Sequence, residues 1–243
     1  MKIDVLTLFP HMFKGVLNES ITGRAIENNI LNINYTNIRD FSENKHNKVD
    51  DYPFGGGPGM VMKPGPIYRA INHVNSNGSR VIYMSPKGKV LTQNLVNELS
   101  KEQHLVFLCG HYEGIDNRII EDYVTDVISI GDYVLTGGEI PTMVVIDSVS
   151  RLLPGVLKSD ESFMDESHYN GLLEYPQYTR PREFNGKNVP EVLLSGNHKK
   201  VDEWRKKEAI KLTYINRPDL LKELDMNKEE KNILEQIKKE LEK

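Results

Sequence analysis

The stretch from Leu108 to Val156 holds two glycine turns, Gly110-His111-Tyr112-Glu113-Gly114 and Gly137-Gly138-Glu139, beside apolar runs. Glycine lets a backbone approach a ligand closely or take φ > 0. Turns of this kind beside strand ends are where open α/β sheets bind small molecules. Glu113, Asp116 and Arg118 surround the first turn, and an ordinary ion pair of Arg118 with either acid accounts for them. Asp147 and Arg151 lie four apart on a helix expected after Pro141, so they share a face. A surface salt bridge would explain them. Their neighbours Val145, Ile146, Val149 and Leu152 are apolar, and an arginine buried among them needs a partner or a substrate. Both readings stay open. Further on, Asp165-Glu166-Ser167-His168 puts two carboxylates in a polar segment, where an acid can act as a general base once substrate orders it.

Other motifs exclude as much as they suggest. Asp50 and Asp51 precede Pro53-Phe54-Gly55-Gly56-Gly57-Pro58-Gly59, four glycines and two prolines in seven residues. This reads either as a cradle of backbone N–H groups for phosphate or as a flexible structural loop. No Gly-Lys-Ser/Thr follows, so it is not a P-loop, and no Gly-x-Gly-x-x-Gly follows a first strand, so a dinucleotide site is unsupported. Ser85-Pro86-Lys87-Gly88 is, alone, a turn signal. The single cysteine, Cys109, excludes an intrachain disulfide and ends an apolar run, as a buried small hydrophobe would. There is no zinc-ligand spacing. The net charge of −4 argues against binding nucleic acid over the whole surface. Between Thr179 and Arg217, however, ten Lys/Arg stand against five Asp/Glu, either a solvated helix surface or a phosphate-contacting face. MKIDVLTLFP is too short and too soon interrupted for a secretory signal, and no apolar run approaches a membrane span. A cytoplasmic protein is expected.

The elements that position these residues follow from periodicity. Strands are expected at 2–8, 31–38, 80–84, 105–109 and 127–130, short and rich in branched and aromatic residues. Helices fall between them: Leu91, Leu95, Val96 and Leu99 share a face, and another helix begins at Pro141 and ends before Pro154-Gly155. This alternation over 1–160 implies a mostly parallel sheet with helices on both faces, the α/β class. Residues 161–175 lose the pattern and read as a linker or lid. The remainder, 176–243, reads as a small helical domain. There Val201, Trp204 and Ala209 punctuate 199–210, Arg217-Pro218 opens a short helix, and Asn227 with Glu230 makes a capping box. The last helix carries Ile233, Leu234, Ile237 and Leu241 on one stripe.

Together these blocks resemble the bacterial tRNA (guanine-N1)-methyltransferases that act at position 37, members of the knotted SPOUT superfamily. The resemblance rests on DVLTLFP (4–10), GRA (23–25), DDYPFGGGPGMVMKP (50–64), SPKG (85–88) and CGHYEGIDNR (109–118). It continues through SIGDYVLTGGEIPTMVVIDSVSRLLPGVL (129–157), GLLEYPQYTRP (171–181) and VPEVLLSGNH (189–198). It implies a deep trefoil knot in the α/β domain, holding S-adenosylmethionine. The matching positions are Tyr83, Met84, Ser85 and Pro86; Gly110, Tyr112, Glu113 and Gly114; and Ser129, Ile130, Gly131, Tyr133, Leu135, Gly137, Gly138 and Pro141. It implies Arg151 as the cation for charge developing at guanine O6 and a linker carboxylate as the base for the N1 proton. Well-known members carry Asp at the base position. This chain has Glu166 preceded by Asp165, so Glu166 is the first choice and Asp165 the alternative. The resemblance further implies a homodimer with shared active sites, a Mg²⁺ requirement, and tRNA contacts through the helical domain. Readings as a ribose 2′-O-methyltransferase, a noncatalytic RNA-binding protein or a nucleotide-phosphate binder on Gly55–Gly59 compete with it.

Overall fold

Strand β1 (Lys2–Thr7) buries every residue after Lys2, and a strand buried on both faces belongs inside a parallel sheet. In the computed structural model, which describes residues 1–74, 78–157 and 166–241, this strand is indeed internal. The sheet runs β2-β1-β6-β5-β7, with β2 spanning Asn32–Asn37, β5 Arg80–Val90, β6 His104–Cys109 and β7 Asp126–Ser129. All its neighbours pair in parallel. The side-chain period of two then divides the core. Ile3, Val5, Ile82, Met84, Leu105 and Phe107 pack on one face with α1 (Lys14–Leu17), α2 (Ser20–Glu27), α4 (Gln93–Leu99) and α6 (Glu139–Ser150). Leu6, Val81, Tyr83, Val106 and Leu108 pack on the other with α3 (Pro64–His73) and α5 (Asn117–Tyr123).

Two expectations shift. Helix α6 starts at Glu139 rather than at Pro141. The first four N–H groups of a helix have no intrahelical acceptor, so proline, lacking one, is accommodated at the third position. Strand β5 runs past Met84 to Val90: Met84 and Lys89 both register with Ile128, so Ser85-Pro86-Lys87-Gly88 bulges outward without ending the strand. A Cβ on Gly88 would collide with the β7 backbone at Val127 and Ile128, and proline is tolerated in a sheet at such bulges. A hairpin of β3 (Asp50–Asp51) and β4 (Val61–Met62) carries the glycine-rich loop at its tip.

The chain forms two compact units, Met1–Ser159 and Asp160–Lys243. The second is built on α8 (His198–Asn216) and α10 (Lys228–Leu241), with α7 (Glu191–Leu194), α9 (Pro218–Glu223) and a hairpin of β8 (Glu183–Phe184) and β9 (Lys187–Asn188). Its core gathers Leu172, Ala209, Ile210, Met226 and Ile237. The capping box closes reciprocally: Glu230 N–H donates to Asn227 Oδ1 at 3.0 Å, and Asn227 N–H to Glu230 Oε2 at 2.8 Å. On the α10 stripe Ile237 is fully buried and Ile233 and Leu234 partly so, while Leu241, at the end, is exposed. No helix among the described residues is long and apolar enough to cross a membrane.

Candidate active site

Strands β6, β5 and β7 are adjacent and parallel, so the turns leaving their carboxyl ends converge. They enclose a cavity of about 550 Å³, within the size range of ligand sites. All sixteen residues singled out on these turns line it: Tyr83, Met84, Ser85 and Pro86 from the β5 bulge; Gly110, Tyr112, Glu113 and Gly114 from the turn after β6; and Ser129, Ile130, Gly131, Tyr133, Leu135, Gly137, Gly138 and Pro141 from β7 to α6. Lys87, His111, Val134 and Thr136 line it as well.

The first turn is tight. Gly114 N–H donates to the His111 carbonyl at 3.0 Å, Tyr112 sits at φ 58° and Gly114 at φ 122°. Tyr112 is neither Gly, Asn nor Asp, so its left-handed backbone is strained and the turn must be held from outside. The Tyr83 ring lies beneath it: a Cβ on Gly110 would sit 2.8 Å from that ring. Burial raises the Tyr83 pKa, and its hydroxyl shares hydrogen bonds with Ser85 and the Ile115 backbone. Burial also pushes the Cys109 thiol well up, with Glu139 adding to the shift, and Thr142 Oγ1 lies 3.2 Å from Sγ. The thiol stays protonated and packs as an apolar group, so it is no nucleophile.

The acids of the first turn separate by role. Arg118 pairs bidentately with Asp116 at 2.8 Å for both bonds, and that pairing lowers the Asp116 pKa. Glu113 instead stays exposed at the cavity, its N–H donating to the Met60 carbonyl at 3.0 Å. Its side chain crowds Gly59, where any Cβ would collide with it. Gly55, Gly56, Gly57 and Gly59 all have positive φ, which explains the glycines by backbone conformation, and none of the four lines the cavity.

Arg151 caps the carboxyl end of α6, half-buried, its N–H donating to the Asp147 carbonyl at 3.3 Å; the Asp147 side chain is exposed. Glu166 belongs to the second unit. It opens a turn in which Tyr169 N–H donates to its carbonyl at 3.3 Å and His168 N–H to the Leu172 carbonyl at 2.8 Å. Leu173 N–H then donates to Thr213 Oγ1 at 2.9 Å, which ties the turn to α8. The segment after 165, read from sequence as linker, is thus folded onto the helical core. Asp165 lies outside the described residues. In the basic stretch, Arg182, Arg205, Lys206, Lys207 and Arg217 pair with acids of their own unit. Arg180, Lys187, Lys199 and Lys200 are exposed and form no ion pair among the described residues. No group of three or more His, Cys, Asp or Glu among the described residues gathers to hold a metal ion.

Sequence reasoning passed over His111 and Glu139. His111 Nε2 lies 2.7 Å from Glu139 Oε2, and Glu139 is 1% exposed. The signal was present as the one acid opening an apolar helix straight after two glycines.

The family model described as tRNA (Guanine-1)-methyltransferase TrmD matches residues 1–223. A tRNA (guanine-N(1)-)-methyltransferase of Alkaliphilus oremlandii is 60% identical over 248 residues, covering 98% of this chain and 99% of the relative. Proteins of the same name from Ruminiclostridium cellulolyticum (60% identical, 92% of this chain and 97% of the relative) and Staphylococcus carnosus (57%, 99% of each) are similarly alike. The chain belongs to the tRNA (Guanine-1)-methyltransferase TrmD family.

Proposed function

We propose that this protein transfers a methyl group from S-adenosylmethionine to N1 of the guanine at position 37 of tRNA, in the cytoplasm. The observation that carries the reading is the cavity at the ends of β5, β6 and β7, lined by every residue that the resemblance assigns to the cofactor. Its walls suit that group. Glycine turns offer backbone donors and acceptors to an adenine edge, while Met84, Ile128 and Leu135 supply apolar surface. A trefoil knot threading these turns belongs to the same reading.

When bound, S-adenosylmethionine supplies a methyl carbon made electrophilic by its sulfonium. Guanine N1 is a poor nucleophile while it carries its proton, so the protein must remove that proton as the new bond forms. Glu166 is our choice for the base, with Asp165 the alternative, since both carboxyls ionise well below neutral pH in water. Negative charge moves toward O6 as the proton leaves, and the Arg151 guanidinium is the cation that offsets it. Tyr112 and Glu113 line the cavity and are exposed, so a base flipped out of its stack could reach them. Exposed Arg180, Lys187, Lys199 and Lys200 would hold tRNA phosphates, which position without reading sequence.

A homodimer completes the proposal, with Glu166 of one protomer serving the cavity of its partner. Its support here is an apolar surface that one protomer leaves open. Ile140 and Val144, one turn apart on α6, are exposed, and so is Val16 of α1, which packs against that helix. Mg²⁺, also implied by the resemblance, has no cluster of three or more His, Cys, Asp or Glu to hold it among the described residues.

The test is incubation with Mg²⁺, labelled S-adenosylmethionine and two transcripts of a leucine or proline tRNA, with guanine or adenine at position 37. The expected result is label on the guanine transcript alone, at N1. Label on both would indicate ribose or another position; label on neither would remove the enzymatic reading for this RNA.

A further inference from the structure

Three segments meet at the Glu139 carboxylate. Thr7 Oγ1, at the end of β1, donates to Glu139 Oε1 at 2.6 Å, and His111 Nε2, in the turn after β6, lies 2.7 Å from Oε2. Glu139 itself is the first residue of α6, where a negative charge is favoured by the helix dipole. Its carboxylate is almost fully buried, so each oxygen needs the donor it has. The His111 ring packs edge-on against Phe9, with centroids 4.8 Å apart, which fixes its direction.

The pair closes directly over Gly137, where any Cβ would strike both side chains. Beneath it the backbones of the two turns are joined: His111 bridges Gly137, and Gly138 N–H donates to the Gly110 carbonyl at 3.0 Å. A Cβ on Gly138 would stand 2.8 Å from the Cys109 Cα, so the two turns are as close as backbones pack. Both turns line the cavity, and the first is the one strained at Tyr112. Something outside the turn has to hold it shut, and the bond between His111 and Glu139 is the side-chain tie that spans the two.

The geometry points to His111 and Glu139 as a positioning pair that clasps the two glycine turns, so that the cavity is already shaped for the methyl donor before it arrives. The pair makes no claim on the reacting atoms. It acts on affinity for the donor through the backbones it holds. This rests on the assignment of S-adenosylmethionine to the cavity.

The test measures binding of S-adenosylhomocysteine by calorimetry to the full-length protein, His111→Ala, His111→Gln and Glu139→Gln, with circular dichroism and melting temperature for each. Loss of a buried charge-assisted hydrogen bond should weaken binding roughly 10-fold in His111→Ala. His111→Gln, which keeps a donor, should recover most of it, and Glu139→Gln, which keeps the shape and loses the charge, should fall between. In turnover assays His111→Ala should raise KM for the donor and leave kcat and the KM for tRNA near wild type. A His111→Ala protein that melts lower and binds as tightly as wild type makes the pair merely structural and overturns the inference. So does equal loss in His111→Ala and His111→Gln. A wild-type protein that takes up no S-adenosylhomocysteine overturns the cofactor assignment itself, a different result from any of these.

Discussion

At the scale of single residues, the proposed chemistry divides between two side chains with separable signatures. On the proposed mechanism, Arg151→Ala removes the cation that offsets charge developing only as the methyl group transfers. Turnover should therefore drop roughly 100-fold. Binding of S-adenosylhomocysteine, measured by calorimetry, should hold; equal loss of both would remove the role. Glu166→Gln should abolish turnover while the circular dichroism stays that of wild type, because a carboxamide keeps the shape of this half-buried turn residue. If Glu166→Gln stays active and Asp165→Asn does not, the base is Asp165. The glycines carry a different message. Gly138→Ala would press a methyl against the Cys109 and Gly110 backbones at 2.8 and 3.0 Å, which cannot rotate away. Overpacking of this kind costs about 1–3 kcal/mol, and a urea melt would read it. The sequence announced these glycines by their clustering. It did not reveal that Gly137 is small because His111 meets Glu139 above it, since that contact joins residues 28 apart.

At the scale of elements, β5 shows what periodicity reaches and where it stops. The run to Met84 is visible as alternating apolar residues. The continuation to Val90 is not, because the strand is resumed after a bulge by pairing with β7, a partner unknown to a one-dimensional pattern. Capping, by contrast, is local, and the Asn227–Glu230 box was legible because its partners lie three residues apart. The start of β5 is anchored by a bidentate pair, Arg80 to Asp126 on β7, at 2.8 Å for both bonds. Arg80's hydrogen bonding holds the Asp126 pKa below the ordinary 3.8. A carboxylate whose folded pKa is depressed contributes stability that is full above its unfolded value and lost as pH falls through the folded one. Asp126→Asn should therefore cost about 1–2 kcal/mol at pH 7, and the gap from wild type should narrow below about pH 4. Urea melts of both proteins at pH 7 and pH 3 check it. A gap of the same size at both would show that the pair contributes through packing and not through charge.

At the scale of the whole molecule, alternation of strand and helix was enough to specify a parallel sheet covered on both faces, because the central strands β1 and β6 read as apolar on both sides. The order β2-β1-β6-β5-β7 was not legible, since it depends on which buried faces meet after long crossovers. What α6 does with its outer face is also a property of the molecule and not of the helix. Met143, Val145, Ile146 and Val149 are buried in the protomer, yet Ile140 and Val144 remain 48% and 40% exposed. Val16, on the α1 helix packed against α6, is 57% exposed. Scattered exposed apolar residues need no explanation, but apolar residues exposed on two packed helices suit an interaction surface. On the proposed homodimer, a second copy of the chain pairing through the same patch about a two-fold axis would cover both patches at once. Val144→Asp tests this without disturbing the core, since the side chain points out of the protomer. The charge would be stranded in an apolar interface with no partner. Light scattering should then find the variant at half the wild-type mass, with its circular dichroism unchanged and its methyl transfer lost. A variant that keeps the wild-type mass and activity would show that α6 pairs with nothing through this face, and a wild-type mass of one chain would show that each protomer works alone.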